Sequence, residues 1–337
     1  VPTFCRHNRF IERCPICSQT LPGADGSDGG EQRRSGTPRR EGAGASGFGS
    51  SAAATRRRAR GAEGVRVLRH ERAVADGYGN TLVPGVHASA DAERLAAEIA
   101  FSAARLELLE AEPPGLYAAV RALASEDADA AARACFLIAY LSPTEEEDAF
   151  DAIRAAIADP ERVLSVLEPE QLGPRTSHDP ARGTQTLEAY ERLVAQAGGA
   201  RAAFMGEDSW TRTRRFERLF ERLALRGLTR TARYELLVLL GALGGYELEA
   251  DSLHLGVARG AATNDATMLA AKRVFAIGDV IHLERRASAL ADALAVELGT
   301  LELALWNFFS PQRATLGFPA DARDEDVYAH ARETLSL

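Results

Sequence analysis

Lysine is all but missing from this chain: of its 40 basic residues one, Lys272, is lysine and the rest are arginine. Usage so lopsided follows genome base composition, so the arginines as a class carry little functional information, and alanine-rich helices are equally uninformative. Apolar runs are short, and none approaches the roughly 18 residues that span a bilayer. The first residues are polar and cysteine-bearing and lack a signal-peptide core. A cytoplasmic protein with no membrane partner is expected. There is no P-loop, no GxGxxG after a strand and no serine elbow, which excludes the common nucleotide-hydrolysing and dinucleotide-dependent chemistries. Cysteines number four, and three of them lie within the first 18 residues.

The 337 residues allow one large or two modest domains, and a 46% hydrophobic share is enough to fold most of them. Net charge is −8, unevenly spread: through Arg60 eleven arginines face five acids, which leaves +6 on the arm and −14 on the remainder. A basic arm on an acidic body marks either a nucleic-acid contact or a merely solvated segment. Three regions follow. Residues 1–18 form a cysteine-bearing module, and residues 19–64, rich in Gly, Ser, Ala and Arg, form a flexible linker that cannot offset its ordering entropy. Residues 65–337 form the folded body.

The body reads as mainly α. Val65–His70 fits a short strand or an extended arm. Helical patterns then cover 89–109, 116–124, 128–141, 144–158 and 160–167, with Pro143 and Pro160 at helix starts. A polar stretch, 168–184, reads as a loop. Helices resume at 185–197, 212–225 and 231–243, the last apolar on most sides and so central to the core. Further helices are expected at 267–275, 282–297 and 300–309. Cys135 reads as a core residue.

Cys5-x-His7, six residues, then Cys14-x-x-Cys17 offers four ligands at a spacing that closes a tetrahedron. Zinc accepts this mixed sulfur and nitrogen set, and reduced cytoplasmic thiols supply it. Four protein ligands leave no open position, so the expected zinc is structural and no catalytic cofactor is expected.

In the body the most informative pattern is the hairpin 267–309. One helix ends at Ile277-Gly278, and the next runs through Leu283. Helix–hairpin–helix modules use such a turn to aim backbone N–H groups at a DNA phosphate. Lys272, Arg273, Arg285 and Arg286 flank it, and Ala276 stands where the usual module has the first of two glycines. Asp279 reads as an N-cap.

The body from about Val65 to Phe318, including Arg182–Tyr190, Lys272–Asp279 and Leu303–Asn307, resembles the α-glutamyl/putrescinyl thymine pyrophosphorylase family. That family is related to helix–hairpin–helix DNA glycosylases and is associated with hypermodified phage bases. The resemblance implies a helix–hairpin–helix, glycosylase-like body with its small N-terminal zinc module, acting on double-stranded phage DNA. It also implies excision of a bulky modified pyrimidine, such as α-glucosylated 5-hydroxymethylcytosine, to leave abasic sites in antiphage defence.

Cleaving an N-glycosidic bond builds positive charge on the sugar, which a carboxylate stabilises. In related glycosylases an aspartate lies roughly twenty residues beyond the hairpin glycine. Glu302 is the match counted from Gly278, and Glu188 is the second candidate. Arg182, Thr184, Gln185, Tyr190 and Asn307 can read a flipped base, and Trp306 serves either base or core. No lysine follows Gly278 to form a Schiff base, so a monofunctional enzyme is expected. Two alternatives stand beside it: a base-modifying enzyme working through a pyrophosphorylated base, and a non-enzymatic zinc-bearing DNA adaptor.

Overall fold

Seven helices of the body begin at a side chain that accepts a hydrogen bond from a first-turn amide: Asp127, Asp159, Thr211, Thr229, Asp265, Asp279 and Asp324. Caps of this kind satisfy one of the free donors of a helix start. The computed structural model describes residues 73–257 and 265–337, which fall within one compact unit, and contains helices but no strand among them. The zinc ligands Cys5, His7, Cys14 and Cys17, the 19–64 linker and the Val65–His70 segment lie outside the described residues.

In chain order the helices are α1 (Ser89–Ala111), α2 (Leu116–Glu126), α3 (Ala128–Leu141), α4 (Asp151–Ala158) and α5 (Pro160–Leu164). After a 3-10 turn at Pro169–Gln171 come α6 (Gly183–Ala197), α7 (Ala200–Met205), α8 (Arg212–Arg222) and α9 (Arg230–Gly244). A second 3-10 turn, Leu255–Val257, precedes α10 (Ala266–Phe275), α11 (Val280–Leu294), α12 (Leu298–Phe309) and α13 (Glu325–Thr334).

The expected helices are present, with corrections at their edges. Residues 144–150 form turns, and α4 starts only at Asp151, so Pro143 opens no helix. The acid run Glu145-Glu146-Glu147-Asp148 offers no apolar face to bury. α8 stops at Arg222, short of Leu225, and α11 begins at Val280 and not His282, because Asp279 caps it by accepting from the His282 amide at 3.1 Å. α7 and α13 were not anticipated: one is a six-residue helix, and the other has a single buried residue, Ala331.

Two apolar cores form. One gathers α2 to α9 around an aromatic series in which Phe136 stacks on Tyr190 with centroids 4.3 Å apart. Cys135 is buried there, as expected, and burial pushes its thiol up to about 12. The other gathers α10, α11 and α13. Helices α1 and α12 pass through both. In α12, Leu303 and Trp306 join the first core while Leu301, Ala304, Leu305 and Phe308 join the second, which is helical spacing used on two faces. Glu302 therefore stands at the seam. The second core is closed by Val83-Pro-Gly-Val86, where Gly85 donates to the Val274 carbonyl at 2.9 Å; a Cβ on Gly85 would lie 1.8 Å from the Arg273 oxygen, so only glycine fits.

Candidate functional site

Between α8 and α9 the chain turns through residues 223–229. Leu228 is buried and donates to the Leu225 carbonyl at 3.1 Å. Gly227 adopts φ +91°, a backbone conformation that favours glycine, and a Cβ there would stand 2.3 Å from the Thr186 hydroxyl. That hydroxyl donates to the Arg226 carbonyl at 3.2 Å, so α6 fixes the turn from behind. Thr229 then caps α9, and its own amide donates to Ser177 Oγ at 3.2 Å. Arg226 and Thr229 are left exposed at the tip.

Beside this hairpin lies a cavity of about 470 Å³. α8 supplies Glu217, Phe220 and Glu221, the turn after it Ala224, α9 supplies Arg233, and the segment after Tyr246 supplies Asp251, Ser252 and His254. That segment is held rigidly from two sides. Glu284 of α11 accepts from the amides of Leu253 at 2.8 Å and Leu255 at 2.6 Å, and Arg230 donates to the Leu253 carbonyl at 3.0 Å. Asp251 is exposed on it. His254, at φ +53°, lays its ring parallel to Phe220 with centroids 4.0 Å apart. Burial, reinforced by the charges of Arg230 and Arg233, lowers its pKa to about 4, so the imidazole is neutral at pH 7. Arg233 Nη1 reaches the Phe220 carbonyl at 3.5 Å and its guanidinium lies 4.6 Å over the Phe220 ring. Arg233 Nε and His254 Nε2 are both buried and lack partners. The arrangement combines three exposed carboxylates, Glu217, Glu221 and Asp251, with a neutral imidazole and a guanidinium around one cavity.

Behind that segment sits a buried ionic network. Glu302 Oε1 accepts from Arg230 Nη2 at 2.7 Å and from Thr267 Oγ1 at 3.1 Å, while Oε2 accepts from Arg175 Nη2 at 2.6 Å. Arg230 also pairs with Asp265, the cap of α10, through Nε at 2.7 Å. Burial by itself would raise the Glu302 pKa; the two guanidiniums outweigh it and hold the carboxyl down to about 2. Glu302 is 2% exposed. Geometry thus gives it a bracing role: through Arg230 it holds the segment that carries Asp251.

The other expected residues do not converge. Glu188 is exposed on α6 and forms a loose pair with Arg192 at 3.6 Å. Arg182 and Gln185 are exposed and Thr184 is half-buried in the first turn of the same helix. Tyr190 is buried. Asn307 spends its amide internally: Nδ2 donates to Glu98 Oε2 at 3.0 Å and Oδ1 accepts from the Ala314 amide at 2.9 Å. In the α10–α11 hairpin Lys272 is half-buried and Arg285 exposed, whereas Arg273 is tied to Asp91 at 2.7 Å. Gly278 is exposed, and a Cβ there would meet nothing within 4 Å, so no close approach in the protein demands glycine.

Asp251, His254 and Arg233 were missed. A signal for them exists in Leu225-Arg-Gly227-Leu228-Thr229: a glycine before an apolar residue, with threonine where the second glycine of the usual hairpin stands. Asp251 follows Gly227 by 24 residues and Thr229, at the second-glycine position, by 22, close to the 24 that separate Gly278 from Glu302.

The family model of alpha-glutamyl/putrescinyl thymine pyrophosphorylase clade 3 matches residues 175–316. That stretch, under half of the chain, holds Arg175, both hairpins, the Asp251 cavity and Glu302. No curated protein and no solved structure matches the chain.

Proposed function

We propose that this protein acts on DNA as a base-excising N-glycosylase, with the α8–α9 hairpin on the phosphate backbone and Asp251 the carboxylate facing the sugar. One observation carries the reading: a glycine-built hairpin with Arg226 exposed at its tip stands beside a cavity that presents an aspartate at the interval used by glycosylases. The match to a family named for modified thymine supports a modified pyrimidine as substrate.

In this reading the hairpin amides and Arg226 meet phosphate, and the lone pairs of Asp251 offset the positive charge that grows at C1′ as the N-glycosidic bond breaks. Water attacks C1′, the base leaves, and an abasic site remains. Neutral His254 and Arg233 line the pocket for the flipped base. The bulky modified pyrimidine, α-glucosylated 5-hydroxymethylcytosine of phage DNA included, belongs to the same proposal, since about 470 Å³ lies in the range of small-molecule pockets. The only lysine, Lys272, stands outside the cavity lining, which supports monofunctional chemistry without a Schiff base. Glu302 and Glu188 become the secondary choices for the carboxylate, and Lys272 and Arg285 a second phosphate contact. The N-terminal set Cys5, His7, Cys14 and Cys17 is proposed to hold one structural zinc; metal analysis should find about one equivalent, lost on Cys14→Ser, and a zinc-free folded protein would refute it.

The second reading taken from the family's name is modification of the base through a pyrophosphorylated intermediate. The two diverge in product. Incubation with plain, hydroxymethylated and glucosylated DNA should release the free modified base and create abasic sites. A product base that remains attached to its sugar would instead support modification.

A further inference from the structure

Three arginines of α8 fall on one edge of the helix. Arg214, Arg218 and Arg222 recur every fourth residue, a little over one turn, so they share a strip about 12 Å long at 1.5 Å rise per residue. Four residues further on stands Arg226, at the tip of the α8–α9 hairpin. All four are exposed. Glu217 and Glu221 occupy the neighbouring edge and line the Asp251 cavity, which no arginine of the strip does.

This separation of charge is unfavourable in the protein alone. A solvated helix gains from opposite charges four residues apart and loses from like ones. On α8 the charged pairs at that spacing are Arg214–Arg218, Arg218–Arg222 and Glu217–Glu221, each of like sign. Arg218 meets Glu221 at 3.2 Å, an exposed pair of little weight, and Arg222 Nη1 donates to the Ala203 carbonyl at 3.1 Å. Arg214 and Arg226 make no side-chain hydrogen bond or ion pair among the described residues. The chain beyond residue 60 carries −14, so the strip is a local reversal of sign that an external anion would complement. Among the described residues the exposed large apolar side chains, Val74, Val166 and Ile281, lie off α8, so the strip suits a phosphate backbone and not a lipid surface.

We infer that the strip is a phosphate track, along which the DNA backbone continues from Arg226 at the hairpin tip past Arg222 and Arg218 to Arg214. The inference rests on the DNA reading of that hairpin and extends its contact along α8.

Fluorescence anisotropy of a plain duplex oligonucleotide titrated with the full chain, between roughly 50 and 200 mM NaCl, tests it. Arg214→Gln and Arg218→Gln should each reduce the slope of log affinity against log salt by about 0.9, the counterion release expected per phosphate. Arg226→Gln, the hairpin reference, should do the same. Arg162→Gln, 79% exposed on α5, should leave the slope unchanged. Melting temperatures should match wild type throughout, since all four side chains are exposed. An unchanged slope in either α8 variant, or an equal loss in Arg162→Gln, would overturn the track. If Arg226→Gln alone still reduced the slope, the hairpin reading would survive that result. Absence of salt-dependent binding by the wild type would remove both.

Discussion

Two groups with displaced pKa values, His254 and Glu302, give the acid response of this protein a definite shape. His254 is held neutral down to about pH 4, whereas its ordinary pKa is 6.5. As pH falls through 6.5 the unfolded chain takes up a proton that the folded protein refuses, so stability drops between about 6.5 and 4. His178, lowered mainly by burial, adds to the same window. Glu302 is the opposite kind of group, a carboxyl held at about 2 against an ordinary 4.5. Its contribution is complete above 4.5 and is lost as pH falls toward 2, on the order of 3 kcal/mol at 1.36 kcal/mol per pKa unit. Denaturant melts across this range should show both declines, and His254→Phe should shrink the upper one. A profile identical to wild type would contradict the assignment. Glu302→Gln should lower stability by about 3–5 kcal/mol, because two buried guanidiniums lose a shared partner. For that reason lost excision in this variant would report folding as much as chemistry. Spacing alone pointed to Glu302, and spacing cannot reveal burial: its arginine partners lie 127 and 72 residues away in the chain.

At the scale of elements, periodicity and capping made most helices legible. Ala128–Leu141 agrees to the residue, and α9 is buried on nearly every side as its apolar run requires. The sequence holds two similar hairpins, of which the pattern singled out α10–α11 and the proposed function uses α8–α9. Ala276-Ile277-Gly278 and Gly227-Leu228-Thr229 each depart by one residue from a glycine-apolar-glycine turn, and only backbone geometry separates them. Ala276 takes the left-handed conformation at φ +53° in the first, while Gly227 takes it in the second at φ +91°. Gly227→Ala should therefore cost about 1–3 kcal/mol and weaken DNA binding, from left-handed strain and the contact with Thr186. Gly278→Ala should stay within about 0.5 kcal/mol of wild type, having open space around it. Thermal melts and a binding isotherm on both variants check this. The reverse order of damage would return the functional hairpin to α10–α11.

For the whole molecule, charge distribution is the guide. No helix among the described residues is long and apolar enough to cross a membrane. The body beyond residue 60 carries −14, a poor surface for DNA by itself, and the first 60 residues carry +6. If the arm supplies nonspecific phosphate contacts, deleting residues 19–64 should weaken binding to all DNA sequences alike and flatten its salt dependence, since each neutralised phosphate releases counterion. A changed base preference at an unchanged salt slope would contradict this.

Above these stands the carboxylate. Asp251 is exposed and makes no hydrogen bond or ion pair among the described residues, so Asp251→Asn removes charge at little structural cost. The measurement is single-turnover formation of abasic sites in DNA bearing glucosylated 5-hydroxymethylcytosine, wild type against Asp251→Asn. Binding and melting temperature are followed in parallel. The account predicts unchanged binding and stability with excision slowed roughly 10²–10⁴-fold. Excision at the wild-type rate by a folded Asp251→Asn protein would contradict it.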